Sequence, residues 1–121
     1  MSRVLVIDDN SDIRELIGFI LRGAGYQVES AEDGEAGLRS HRAQAFDIVI
    51  TDIFMPNQDG IETIARLRKD FPAVKVIAMS GGGSRTKGDG YLFTAREIGA
   101  HAVLSKPFDP EDLLGAVRSL Q

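Results

Sequence analysis

The chain has 121 residues, 43% hydrophobic and 26% charged, with a formal net charge of −4 and a sequence pI near 5.1. That length suits one domain over residues 1–121 with one sizeable core, and the acidic balance argues against direct nucleic-acid binding, which needs a basic face for the phosphates. Cysteine is absent, which excludes disulfides, thiolate metal sites and a cysteine nucleophile.

Val4-Leu-Val-Ile7 reads as a buried strand that ends in Asp8-Asp9-Asn10. Met1-Ser2-Arg3 before it is too short for a signal peptide, and no apolar run approaches membrane-spanning length. The expectation is therefore a soluble cytoplasmic protein. A helix follows, capped by Asn10 or Ser11, with Ile13, Leu16, Ile17, Ile20 and Ala24 at helical spacing and Gly25 placed to end it. Phe19 points off that stripe, either as a lone exposed aromatic or as a partner contact.

Gln27 to Ala31 predicts a second strand, and Asp33-Gly34 opens a helix of about Glu35 to Ala43 with Ala36 and Leu38 inward. His41 lies in that helix and His101 far away, with no ligand spacing between them. The stretch Phe46-Asp-Ile-Val-Ile-Thr-Asp52-Ile-Phe-Met-Pro56 organises the chain. Its consecutive β-branched residues Ile48, Val49 and Ile50 suit a strand covered on both faces, and the run stops at Asp52. Pro56 and Asp59-Gly60 mark a loop, Ile61, Ile64, Ala65 and Leu67 a third helix, and Pro72 its end. Arg66, Arg68 and Lys69 in that helix read as a solvated face.

Val74 to Met79 predicts the fourth strand, ending at Ser80. Gly81 to Gly90 is glycine-rich and expected to be mobile. A helix of about Tyr91 to Ile98 ends at Gly99, Ala102 to Leu104 makes the fifth strand, and Ser105-Lys106-Pro107 follows it. Asp109, Pro110 and Glu111 open a last helix whose inner face is Leu113, Leu114, Val117 and Leu120. Five strand–helix units with short links predict an α/β fold, a doubly wound parallel sheet with helices on both faces and right-handed crossovers.

In a parallel sheet all strand ends share one edge, the edge where ligands bind. Here that edge collects Asp8, Asp9, Asp52, Ser80 and Lys106. Taken singly, each is an ordinary turn, cap or surface residue. Together they form a chemical set. Close carboxylates repel unless a cation intervenes, and oxygen-only donors favour a hard ion, Mg²⁺ rather than zinc. Lys106 adds a second positive charge and Ser80 a hydroxyl donor, the charge-balancing arrangement of phosphoryl transfer.

Asp8-Asp9, Asp52, Met55-Pro56, Asp59-Gly60, Ser80, Gly99-Ala100 and Lys106-Pro107 together resemble the receiver domain of two-component response regulators, over the whole chain. The resemblance implies a flavodoxin-like strand order 2-1-3-4-5. It implies that Asp52 accepts a phosphoryl group from a histidine kinase or histidine phosphotransfer protein. Mg²⁺ would be held by Asp9, Asp52 and the main-chain carbonyl of Phe54, with Asp8 acting through water. Ser80 would hydrogen-bond the phosphoryl group, and Lys106 would pair with it, often beside a cis Lys-Pro bond. The protein is expected to be a monomer or weak dimer, to pass its signal to a downstream protein target, and to catalyse only its own phosphorylation and dephosphorylation. With no effector segment after Gln121, output is expected to go through that partner, unless the chain is a piece of a longer protein.

Two features depart from the family pattern. Val103 stands where an aromatic switch residue is usual, three residues before the lysine. The segment after Ser80 is longer than usual and glycine-rich; it fits neither Walker A nor G-x-G-x-x-G, and Ser84-x-x-Lys87 lacks the motifs that would make it a β-lactamase fragment. It is expected either to be a solvated loop or to form a flap that orders on activation. Two other functions compete. A Mg²⁺-dependent phosphohydrolase would carry D-x-D after the first strand, where this chain has Asp8-Asp9-Asn10. A receiver-like binding module that needs no phosphate remains open because of Val103 and the glycine segment.

Overall fold

The computed structural model describes residues 2–53, 60–80 and 95–121. In chain order the elements are β1 (Arg3–Ile7), α1 (Ser11–Gly23), β2 (Gln27–Ala31), α2 (Gly34–Ala43), β3 (Ile48–Asp52), α3 (Gly60–Asp70), β4 (Lys75–Ser80), α4 (residues 95–98), β5 (Ala102–Ser105) and α5 (Pro110–Ser119). The five strands form one sheet in the order β2-β1-β3-β4-β5, and every neighbouring pair is parallel. This is the predicted α/β topology. The predicted start of α4 near Tyr91 and the Gly81 to Gly90 segment lie outside the described residues.

The two-residue period of a strand divides the core. Leu5, Ile7, Val49, Val76 and Ala78 face one way and pack with Leu38 of α2, Ile64 and Leu67 of α3 and Ala95 of α4. Val4, Val6, Ile48, Ile50, Ile77 and Met79 face the other way, against Ile17 and Leu21 of α1 and Leu113 and Val117 of α5. Both faces of the central strands are therefore covered, which is why β3 reads as an unbroken apolar run.

Local chemistry fixes the helix starts. The Asn10 side chain accepts from the Asp12 and Ile13 amides, so Asn10 and not Ser11 caps α1. Asp33 accepts from the Ala36 amide at 2.8 Å. Asp109 and Asp112 form a reciprocal capping box, with Pro110 in the first turn of α5. Gly25 ends α1 at φ 97°, a left-handed conformation that favours glycine.

The stripe expected for α1 needs correction. Leu16 is 47% exposed and Ala24 is also exposed, whereas Leu21, absent from the expected stripe, is fully buried. The buried line runs Ile17, Gly18, Leu21, displaced by one position around the helix. Ala65 of α3 likewise points outward. Phe19 is 78% exposed, as expected, but Leu16 accompanies it on the surface.

Both histidines are built into the fold at the amino ends of strands. His41 is buried in the last turn of α2; its Nδ1 accepts the Phe46 amide at 3.1 Å and its ring meets Phe71 edge-on at 4.5 Å. His101 Nδ1 accepts the Val76 amide at 3.1 Å. Burial lowers the pKa of each, and for His101 the nearby Arg68 and Lys75 lower it further.

Candidate functional site

Register alone places the site. Ile7 pairs with Thr51, so the next residues, Asp8 and Asp52, leave the sheet side by side. Asp52 pairs with Met79, which puts Ser80 one step further along the neighbouring strand. Ser80 pairs with Ser105, and Lys106 follows. Backbone hydrogen bonds carry this alignment past the strand ends: Asp8 N–H to Ala31 O at 3.2 Å, Ile53 N–H to Met79 O at 2.9 Å and Lys106 N–H to Ser80 O at 2.7 Å.

Carboxylate oxygens of Asp8, Asp9 and Asp52 all lie within 4.8 Å of one another. Asp8 and Asp52 are buried and Asp9 is exposed, so the cluster opens to solvent on one side. Lys106 Nζ lies 2.7 Å from Asp8 Oδ2 and 3.6 Å from Asp52 Oδ2. Among the described residues this is the one ammonium at the cluster, and it pairs with two of the three carboxylates, Asp8 and Asp52. The oxygen-only donors, the excess negative charge and the open side fit a hard divalent cation.

Ser80 supplies an independent sign of a ligand. Its Oγ is buried and has no hydrogen-bond partner among the described residues. A buried, unpaired hydroxyl costs stability unless something else uses it. At the end of β4, beside Asp52, an incoming anionic oxygen would use it.

Two supporting residues escaped the sequence. The Arg14 guanidinium donates to the Asp8 carbonyl at 2.6 Å, and the Asn10 amide donates to Asp8 Oδ1 at 2.9 Å. Arg14 sits one turn into α1, where the helix passes the tip of β1; a basic residue in that turn was the available signal. Gly60 is the other. It starts α3, its amide donates to Ile53 O at 2.8 Å, and a Cβ there would collide with the Asp52 carbonyl and Ile53 Cα. The Asp59-Gly60 pair was legible as a turn, but its glycine is also the close-approach point of α3 to the end of β3.

The predicted set Asp8, Asp9, Asp52, Ser80 and Lys106 is thus brought together on one edge. Phe54, expected to contribute a main-chain carbonyl, lies outside the described residues, as do Met55, Pro56 and Asp59. The Lys106–Pro107 peptide is cis, as the resemblance implied. Val103 is half-buried against the core and pairs with Ala78. No helix among the described residues is long and apolar enough to cross a membrane.

The family model described as response regulator receiver domain matches residues 4–118. A probable transcriptional regulator, ycf27, of Porphyridium aerugineum is 35% identical over 98% of this chain, and the match spans 47% of that protein. The chain thus spans about half the length of the curated relatives it matches first. The chemotaxis protein CheY4 of Vibrio cholerae superposes with a TM-score of 0.87 at 31% identity, covering 100% of this chain and 99% of that one. A response regulator receiver domain protein of Clostridium thermocellum superposes at 0.90 with 32% identity, covering 99% and 94%.

Proposed function

The chain belongs to the response regulator receiver domain family of two-component systems, and from that premise we propose that residues 1–121 form one receiver domain in which Asp52 is the phosphoacceptor. The family is one of generally non-enzymatic signalling domains. The observation that carries the proposal is the convergence of three carboxylates, one ammonium and one unpaired buried hydroxyl at the ends of four strands.

In this reading an Asp52 carboxylate oxygen attacks the phosphorus of a phosphohistidine on a kinase or phosphotransfer protein. The new O–P bond forms as the P–N bond breaks, and the imidazole leaves with the electron pair. Asp9 and Asp52, with the Phe54 carbonyl, would hold Mg²⁺, and Asp8 would act on it through water. When bound, the ion supplies positive charge against the phosphoryl oxygens. Lys106, already between Asp8 and Asp52, pairs with a second phosphoryl oxygen. Ser80 donates its free hydroxyl to a third.

The aspartyl phosphate then shifts a two-state equilibrium that a downstream protein target reads. With Val103 in the usual aromatic position, movement of Ser80 is not coupled to rotation of a ring on β5. The protein acts in the cytoplasm as a monomer or weak dimer, without membrane or nucleic-acid contact of its own. Incubation with acetyl phosphate and Mg²⁺ adds one phosphoryl mass, and Asp52→Asn does not gain it. Absence of that gain with both acetyl phosphate and a phosphohistidine donor overturns the reading.

A further inference from the structure

On the face where α2 and α3 pack side by side lies a cleft of about 230 Å³ lined by Glu35, Leu38, Arg39, Arg42 and Arg66. Three of its five lining residues are arginines, in a protein whose net charge is −4. Arg39 and Arg42 are three apart on α2 and share a face; Arg66 comes from α3. The basic run Arg66-Leu-Arg68-Lys69 is therefore not one solvated face. Arg68 turns away to donate to the Pro72 and Val74 carbonyls at 2.8 and 3.1 Å, whereas Arg66 joins the α2 arginines.

Among the described residues no carboxylate lies within ion-pair distance of Arg39, Arg42 or Arg66. That includes Glu35, which is four residues before Arg39 on the same helix, the most favourable spacing for a helical ion pair. Nor does any of the three make a side-chain hydrogen bond to another described residue, unlike Arg3, Arg14, Arg22 and Arg68. Three guanidiniums that line one cleft, Arg66 half-buried and Arg39 and Arg42 exposed, repel one another, and an anion between them relieves that repulsion.

We propose that this cleft is an anion site for a phosphate group carrying at least two negative charges. The chemistry selects the class. All three cations are guanidiniums, whose planar forks match phosphate oxygens in pairs, and none is lysine. The volume is that of roughly eight waters at about 30 Å³ each. It accommodates a phosphate or diphosphate group and is too small for a helix or strand of another protein. The lone carboxylate, Glu35, leaves the lining with a formal charge of +2, from three arginines and one glutamate. Such a group can belong to a free ligand or to a lipid headgroup, and the site's chemistry toward the two is the same. The cleft lies on α2 and α3 and shares no residue with the Asp8, Asp52 and Lys106 cluster.

The test is an amide NMR titration with pyrophosphate in Mg²⁺-free buffer, at ionic strength matched with sodium chloride. A parallel sedimentation assay uses phosphatidic acid vesicles against phosphatidylcholine vesicles. The expected result is a saturable shift of amides around residues 39–42 and 66, distinct from any shift near Ser80 and Lys106. Arg39→Gln and Arg66→Gln each weaken binding about tenfold, the scale of one charge-assisted hydrogen bond. Arg66→Lys also weakens it, because the charge stays and the fork is lost. Labelling by acetyl phosphate is unchanged in all three variants. Vesicle binding without pyrophosphate binding, lost in the same variants, assigns the phosphate to a lipid and supports the site. Shifts that chloride reproduces, binding that survives the double Gln variant, or binding of polyglutamate with neither phosphate probe bound, overturns it.

Discussion

The Lys106 ammonium lies 2.7 Å from Asp8 Oδ2 and ties the tip of β5 to the tip of β1. Asp8 is fully buried, and Asp9 and Asp52 lie beside it. Removing one partner of a buried ion pair leaves the other charge uncompensated, at about 3–5 kcal/mol. Lys106 retains partial solvent contact, so we expect Lys106→Met to destabilise the protein by about 3 kcal/mol in urea unfolding at pH 7, the low end of that range. A saturating divalent cation recovers part of that loss, because the carboxylates then have another counter-charge.

Ser80 separates function from stability. Its hydroxyl is buried without a partner among the described residues, so Ser80→Ala breaks no described hydrogen bond. Unfolding free energy should stay within about 0.5 kcal/mol of wild type, or rise slightly as an unsatisfied group is removed. Phosphoryl transfer from a small acyl phosphate should slow by about 10²-fold, the usual effect of losing one donor to developing charge. A large stability loss with unchanged transfer would reverse the assignment.

Asp9 offers the complementary case. It is exposed and makes no hydrogen bond or ion pair among the described residues. Asp9→Ala should therefore change stability by no more than about 0.5 kcal/mol in chelator. Mg²⁺ at about one hundred times its dissociation constant stabilises a binding protein by about 2.7 kcal/mol. Wild type should show a midpoint shift that EDTA reverses, and Asp9→Ala should show little.

Much of this centre was legible because its residues end apolar runs. Asp52 stops Ile48-Val-Ile, and Ser80 stops Val76-Ile-Ala-Met, and parallel topology does the rest. What escaped was whatever depends on packing distance. Periodicity placed Leu16 inward with Ile13 and Ile20, yet α1 is rotated so that Leu21 takes the buried place. No sequence pattern announced that Gly60 abuts the Asp52 carbonyl. His41 was readable in retrospect: it stands three residues after buried Leu38 on α2, the spacing of an inward face.

Gly60→Ala tests that abutment. The added methyl meets backbone atoms of Asp52 and Ile53, which cannot swing aside as a side chain would. We expect a loss of about 2 kcal/mol, within the range for overpacking, together with reduced labelling at Asp52. The same substitution at Gly115, where no atom lies within 4 Å of the added Cβ, should leave labelling intact.

The histidines set the acid limit. In the folded chain both have pKa values lowered from 6.5 by burial, and both accept a backbone amide through Nδ1, which requires that nitrogen to be unprotonated. The unfolded chain binds protons first as pH falls. Their contribution is therefore fully present above about pH 6.5 and is lost as pH drops through the lowered folded values. Unfolding free energy measured from pH 7.5 to 5 should decline. His101→Gln should flatten the slope, its amide oxygen replacing the Nδ1 acceptor. A slope unchanged in both His41→Gln and His101→Gln would assign the decline to carboxylates.

Because the hydrogen-bond ladder itself indexes the reactive tips, the working parts are located by neighbouring backbone rather than by reach across the molecule. Apart from Arg14 and Gly60, the helices lend them nothing among the described contacts. The outward surfaces of α1 and α5 thus add no described contact to the cluster, and substitutions there should leave labelling at Asp52 unchanged.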